Sequence, residues 1–407
     1  MSGDSFIELD GGVTAPRHFV AGSVFAGIKK TNLSRPDIAF VHSTLPAVGA
    51  GVFTTNRVKS APVRVSQAYL RNEETRTIVA NSGNANACTG PIGIEHAKRM
   101  AKATARALEV KERSVLVCST GRIGVPLPIE AMETAIAGGA ATLCDDREAS
   151  RRAAEAIMTS DSFSKECAVE LDLDGVKVRI GGIAKGAGMI DPNMATMLSF
   201  VTTDAVIDKK LLRQALVDGV DGAFNRITVD GDMSTNDTVL VLANGAAGNA
   251  PLKDNTRAFE RFQDALNHVL FNLARMIVED GEGVTRFVTI QVRGAKTREE
   301  SRQAAESVAN STLAKCSWFG GDPNWGRVMA AIGYSGARIR EEMIDIYYDG
   351  LIAVQNGTGA PTPAEKLKKI VSARRFTITI DLHMGDADYT VYTTDLSTRY
   401  VELNMSE

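Results

Sequence analysis

The sequence predicts an α/β fold, and three observations carry that prediction. Apolar, β-branched runs of strand length alternate with segments of helical spacing. Asp174-Gly175 stands between two alternating runs, the strongest short-range signal for a tight β-hairpin. Glycine and short polar residues gather in patches beside these runs, where loops on a rigid scaffold hold binding groups. At 407 residues the chain is too long for one simple core and suits two to three domains or one two-lobed unit.

Taken in order, 36–44 (PDIAFVHST), 77–82 (TIVANS) and 114–120 (SVLVCST) read as strands, while 95–110 and 128–143 have helical spacing. The hairpin covers 167–182 and feeds into KGAGMIDPNMATMLSF (185–200), a Gly/Pro segment that opens a strand at 197–203. Helical patterns follow at 203–220 and at 257–281, the second ending at a glycine, as helices often do. The soft segments 244–256 and 355–363 are too short to tether domains. The clearest division falls near residue 195, which gives 1–195 and 196–407.

Charge narrows the partners. With 46 basic and 49 acidic residues well mixed and a net charge of −3, nothing favours nucleic acid or a membrane surface over a small solute. No stretch approaches the roughly 18 apolar residues of a membrane span, and MSGDSFIELDGG lacks a signal-peptide pattern, so a soluble, cytoplasmic protein is expected. Five widely spaced cysteines without a C-x-x-C pair are expected as reduced thiols.

Six patches concentrate the polar chemistry: NSGNANACTG (81–90), CSTGRIG (118–124), KGAGMIDPNMATM (185–197), TVDGDMSTNDT (228–238), DGEG (280–283) and GGDPNWGR (320–327). All five histidines lie outside them, and no H-E-x-x-H or G-x-S-x-G is present, which disfavours a histidine triad or histidine metal site. KGAGMID and DGEGVTR complete no dinucleotide fingerprint, and there is no phosphate-binding G-x-x-x-x-G-K-[ST] loop. Asp230, Asp232 and Asp237 fit either oxygen ligands for a divalent cation or Asx turns that cap backbone N–H groups. A nucleophile that works without histidine needs another base, and a threonine with a freed α-amine supplies one. Thr196 would qualify after a cut before it, made when its hydroxyl attacks the Ala195 carbonyl; the alternative for this stretch is a structural crossover.

KGAGMIDPNMATML resembles the self-cleavage signature of the ornithine acetyltransferase family, the bifunctional glutamate N-acetyltransferases of the cyclic arginine pathway. NSGNANACTG, STGRIG followed by LP, MTSDSFSKE (158–166), TVDGD with STNDT, ARMIVEDGEG and DPNWGR resemble the family in its order, from about residue 10 to 404. The resemblance implies a layered α/β sandwich with paired sheets between helices, plus a smaller second α/β lobe. It also implies self-cleavage between Ala195 and Thr196 into an α fragment (1–195) and a β fragment (196–407) that stay associated, as a heterotetramer of two α and two β. Thr196 would take acetyl from N2-acetylornithine as an ester and pass it to glutamate, with neither metal nor organic cofactor and with acetyl-CoA as a further candidate co-substrate. Thr120 and Gly121 match the oxyanion pair, and Thr159, Lys185, Glu282 and Asn404 match substrate contacts. A cation for the shared α-carboxylate and acceptors for the α-amine are what these substrates require, and Lys185 and Glu282 suit those two tasks. Trp325, Arg327, Asn84, Asn86 and Asp230 are expected to pack and fix loops.

The sequence departs from the family at Arg122, Met233, Arg286 and Cys316, and it stops at NMSE, where the family continues to a tyrosine and a final Ser/Thr. These changes leave the nucleophile and oxyanion pair intact and bear on substrate identity. The alternatives are a paralogue that moves another acyl group or acts as an amidohydrolase, and a binding protein that has lost turnover.

Overall fold

The Asp174-Gly175 turn is where the expected hairpin forms: strands Lys165–Leu173 and Val176–Lys185 pair antiparallel with Leu173 opposite Val176. Both turn residues have positive φ, 54° and 90°, the geometry that matches the twist of the flanking strands. The computed structural model describes residues 6–29, 35–191 and 197–405, and these divide into two compact units.

The first unit takes Met1–Gly186, Asn193–Asn225 and Met233–Ile277 and carries two sheets. One has six strands in the order Phe6–Leu9, Lys165–Leu173, Val176–Lys185, Leu198–Thr203, Thr238–Ala243, Val48–Phe53. Leu198–Thr203 and Thr238–Ala243 run parallel and are buried at every position, as parallel strands covered on both faces are. The other sheet orders Phe19–Val24, Ile38–Ser43, Thr77–Asn84 and Val115–Arg122, the last two parallel. Phe19, Phe40 and Val117 of this sheet share one core with Ile183, Phe200 and Leu240 of the six-stranded sheet. Each such side chain contributes about 1.5–3 kcal/mol by leaving water.

Helix Arg147–Ile157 packs against strands of both sheets through Ala149, Ala153, Ala154 and Ile157, and Asp146 caps it by accepting from the Ala149 N–H at 2.6 Å. Three helix boundaries differ from the periodicity. The 95–110 helix is Gly90–Ala107, begun early because a proline is tolerated in the first turn. The 128–143 helix ends at Ala137, and after Gly138 only a short 3-10 turn follows. The 203–220 helix starts at Lys209, because the Asp208 carboxylate caps it through the Lys210 and Leu211 N–H groups.

The second, smaller unit takes Ala187–Pro192, Arg226–Asp232 and Val278–Glu407. Its sheet orders Thr358–Gly359, Leu351–Gln355, Asp345–Tyr348, Arg375–Asp381, Phe287–Ala295 and Ala387–Thr394. Val288, Ile290, Ile346 and Ile378 from this sheet pack with Trp318, Val328 and Ala305 from its helices. The α/β architecture with paired sheets and a smaller lobe is thus present. The compact units do not follow the 1–195 and 196–407 segments, since the second segment contributes to both units.

Candidate active site

In the first unit the parallel strands Thr77–Asn84 and Val115–Arg122 end together, with Ser82 opposite Thr120 and Gly83 opposite Gly121. Gly121 has φ 130°, and a Cβ there would stand 2.3 Å from the Gly83 carbonyl carbon. Glycine is therefore required by both conformation and space, and it leaves the backbone at Gly121 exposed while Thr120 is buried. The Asn236 side chain ties this end down by donating to the carbonyls of Ala85 and Ser119 at 2.7 and 2.8 Å. Asn84 and Asn86 fix the adjoining loops as expected, donating to Val125 at 3.0 Å and Gly93 at 2.9 Å. The Lys185 ammonium, 2 % exposed, donates to the Thr120 hydroxyl at 3.3 Å. Three of the expected site residues thus meet.

A fourth, Thr159, is joined to them through a residue without an assigned role, Asp161. One Asp161 oxygen accepts from the Thr159 N–H at 2.9 Å. The other accepts from the Gly186 N–H and from the Lys165 ammonium, each at 2.7 Å. Burial opposes ionisation of Asp161, but Lys185 and Lys165 outweigh it and hold the carboxyl down at about 2. Lys165 and Lys185 are both buried at this end of the sheet. The signal for Asp161 and Lys165 was present in MTSDSFSKE, but nothing in that spacing marks a buried ion pair.

Ala195 and Thr196 lie outside the described residues. Their neighbour Met197 precedes the strand Leu198–Thr203, and its N–H donates to Asp237 Oδ1 at 3.0 Å while its carbonyl accepts from the Thr238 N–H at 3.1 Å. Burial pushes the Asp237 carboxyl well above the usual carboxylate range, against the pull of Lys185. In the second unit the Asn404 amide donates to Glu282 at 2.8 Å, so these two expected contacts also meet. A Cβ on Gly188 would stand 2.5 Å from the Glu282 carboxyl carbon, so a side chain there would displace the Glu282 carboxylate.

Asp230, in the same unit, accepts from the N–H groups of Met189 and Ile190 at 2.6 and 2.9 Å and from the Tyr400 hydroxyl at 3.1 Å. It therefore acts as a loop cap. No group of three or more His, Cys, Asp or Glu arranged to hold a metal occurs among the described residues. Asn324 caps the helix Trp325–Gly333, and Arg327 donates to the Leu313 carbonyl at 2.6 Å, which binds that helix to its neighbour. All five cysteines are free thiols, and no described helix is long and apolar enough to cross a membrane.

The chain is similar to known proteins along nearly its whole length. A relative from Symbiobacterium thermophilum, the arginine biosynthesis bifunctional protein ArgJ, is 46% identical over 398 residues, covering 98% of each chain. The glutamate N-acetyltransferase of Methanocaldococcus jannaschii is 46% identical over 407 residues, covering 97% of this chain and 98% of its own. The crystal structure of the ArgJ protein from Bacillus halodurans superposes with a TM-score of 0.51 at 38% identity, covering 52% of this chain and all of the other. The ArgJ family model matches residues 20–406, and the chain belongs to that family of acyltransferases.

Proposed function

We propose that this protein moves an acetyl group from N2-acetylornithine to glutamate through an acetyl ester on Thr196, after cutting its own chain between Ala195 and Thr196. The observation that carries the reading is the meeting of Lys185, Thr120 and Gly121 in the unit whose strand Leu198–Thr203 begins two residues after Thr196. Attack on an amide carbonyl turns its oxygen into an oxyanion, which the Thr120 hydroxyl and the Gly121 N–H are suited to stabilise. The freed α-amine of Thr196 takes the proton of the attacking hydroxyl, ornithine leaves, and glutamate nitrogen then attacks the ester. Donor and acceptor share an α-carboxylate and an α-nitrogen. The cationic Lys185 therefore serves the shared α-carboxylate in both halves of the reaction.

The sheet supports continued association of the fragments. Leu198–Thr203 pairs with Val176–Lys185, and Thr238–Ala243 with Val48–Phe53, so the two strands that follow the cut are flanked on both sides by strands that precede it within one sheet. The paired fragments assemble as a heterotetramer of two α and two β in the cytoplasm. No organic cofactor takes part, and acetyl-CoA serves as a second donor to glutamate. A donor and acceptor panel tests the reading: acetylornithine, acetylglutamate and acetyl-CoA against ornithine, glutamate and water. Transfer from acetylornithine to glutamate, abolished in Thr196→Ala, is expected. Transfer by the alanine variant, or release to water alone, contradicts it.

A further inference from the structure

Lys29 reaches the Thr120–Gly121 end of the four-stranded sheet from a loop that Asp37 builds. Asp37 is fully buried just before the strand Ile38–Ser43. Its carboxylate accepts from the N–H groups of Ala26, Ile28 and Lys29 at 2.7, 2.6 and 3.4 Å, and its carbonyl accepts from the Ser82 N–H at 2.9 Å. The loop is thereby laid on Gly83: a Cβ on that glycine would stand 3.0 Å from Lys29 Cγ and 3.2 Å from the Lys29 nitrogen. Gly83 lies opposite Gly121, so the Lys29 stem rests on the strand end that carries the oxyanion pair.

The Lys29 ammonium is not spent on the fold. Among the described residues its hydrogen bond is a long one, to the Pro36 carbonyl at 3.4 Å, and the Asp37 oxygens are occupied by backbone N–H groups. Lys165 is held by Asp161 and Lys185 is almost fully buried, whereas Lys29 is half-buried and within reach of a solute. Asp161 and Lys185 are among the charges that act on it, which places it with them at one end of the sheet.

Donor and acceptor differ at their far ends. Both carry the α-carboxylate that suits Lys185, but glutamate ends in a second carboxylate and acetylornithine in an ammonium. A carboxylate drawn out of water requires a cation. We infer that Lys29 is a specificity-determining residue that receives the side-chain carboxylate of glutamate, an inference that rests on the acetyl-transfer reading above. The donor is accommodated by the other form of the same group. Burial lowers the Lys29 ammonium to about 8, Asp37 and Asp161 pulling it up and Arg35 and Lys185 pushing it down. Its charged and neutral forms therefore differ little in energy near that pH, and the neutral amine accepts a hydrogen bond from the donor's ammonium.

The test measures kcat and KM for glutamate and for glutamine, with acetylornithine as donor, in the wild type, Lys29→Met and Lys29→Arg, and records the melting temperature of each. Methionine keeps an apolar stem against Gly83 and removes the charge, while glutamine keeps the length of glutamate and removes the carboxylate. The expected result for Lys29→Met is a glutamate KM raised by about 10–150-fold, the loss of one charged hydrogen bond, with a far smaller change for glutamine and for ornithine release from the donor. Lys29→Arg should keep the preference for glutamate. Equal losses with glutamate and glutamine, or unchanged kinetics with both, overturn the assignment. Absence of transfer in the wild type sinks the acetyl-transfer reading itself, and the assignment with it. Should Lys29→Met melt early, amine-reactive labelling of the wild-type protein decides, read by peptide mass. Slower labelling of Lys29 in glutamate than in glutamine upholds the contact, and equal labelling overturns it.

Discussion

Lys185 and Asp161 set the chemistry of the site at the scale of single residues. The buried lysine joins the Thr120 hydroxyl, and the carboxylate ties Lys165, Thr159 and Gly186 to the same end of the sheet. Lys185→Met should weaken recognition of the α-carboxylate in both substrates, with kcat/KM lower by about 10–150-fold, the equivalent of a charged hydrogen bond of roughly 1.5–3 kcal/mol. Steady-state kinetics with each substrate checks this. Asp161→Asn takes the carboxylate away from the buried Lys165 ammonium and should cost about 3–5 kcal/mol. The sign with pH follows from a native carboxyl held at about 2. An unfolded aspartate titrates near ~3.9, so the ionised form stabilises the protein above that value and the benefit fades as pH falls toward the native value. Denaturant melts of both proteins from pH 7 downward should converge only at the acid end. Thr120, Gly121, Lys185, Glu282 and Asn404 were legible because they sit in recognisable motifs. The Asp161–Lys165 pair was not, because a four-residue spacing does not mark a buried ion pair.

Among the elements, the hairpin was legible in full because its turn residues have no other use. Gly175 has φ 90° with nothing within 4 Å of an added Cβ, so Gly175→Ala should cost only its backbone strain, about 1–2 kcal/mol, with unchanged kcat. Thermal melting beside an activity assay tests that pairing of outcomes. Gly121→Ala is the contrast: the Cβ would strike Gly83 and displace the strand end, so transfer should fall by at least ~10²-fold, the loss of one oxyanion donor. Helix boundaries were less legible than helices. The pattern at 203–220 runs continuously from strand into helix, and only the Asp208 cap marks where one stops and the other starts. In the second unit, Arg375–Asp381 and Ala387–Thr394 went unassigned, although both alternate buried and half-buried positions.

Across the whole molecule, the two compact units were not legible, because each is assembled from three separated segments and sequence shows only neighbours along the chain. Because two strands that follow the Ala195–Thr196 bond are flanked by strands that precede it in one sheet, the cut fragments should co-elute under native conditions and separate only in denaturant. The central claim is that Thr196 carries the acetyl group. The measurement that tests it most directly is the mass of the fragment beginning at Thr196 after brief exposure to N2-acetylornithine without glutamate. The account predicts a fragment heavier by one acetyl group, with the group at Thr196, restored to its former mass when glutamate is added. A fragment of unchanged mass in an enzyme that turns over, or an acetyl group on another residue, would contradict it.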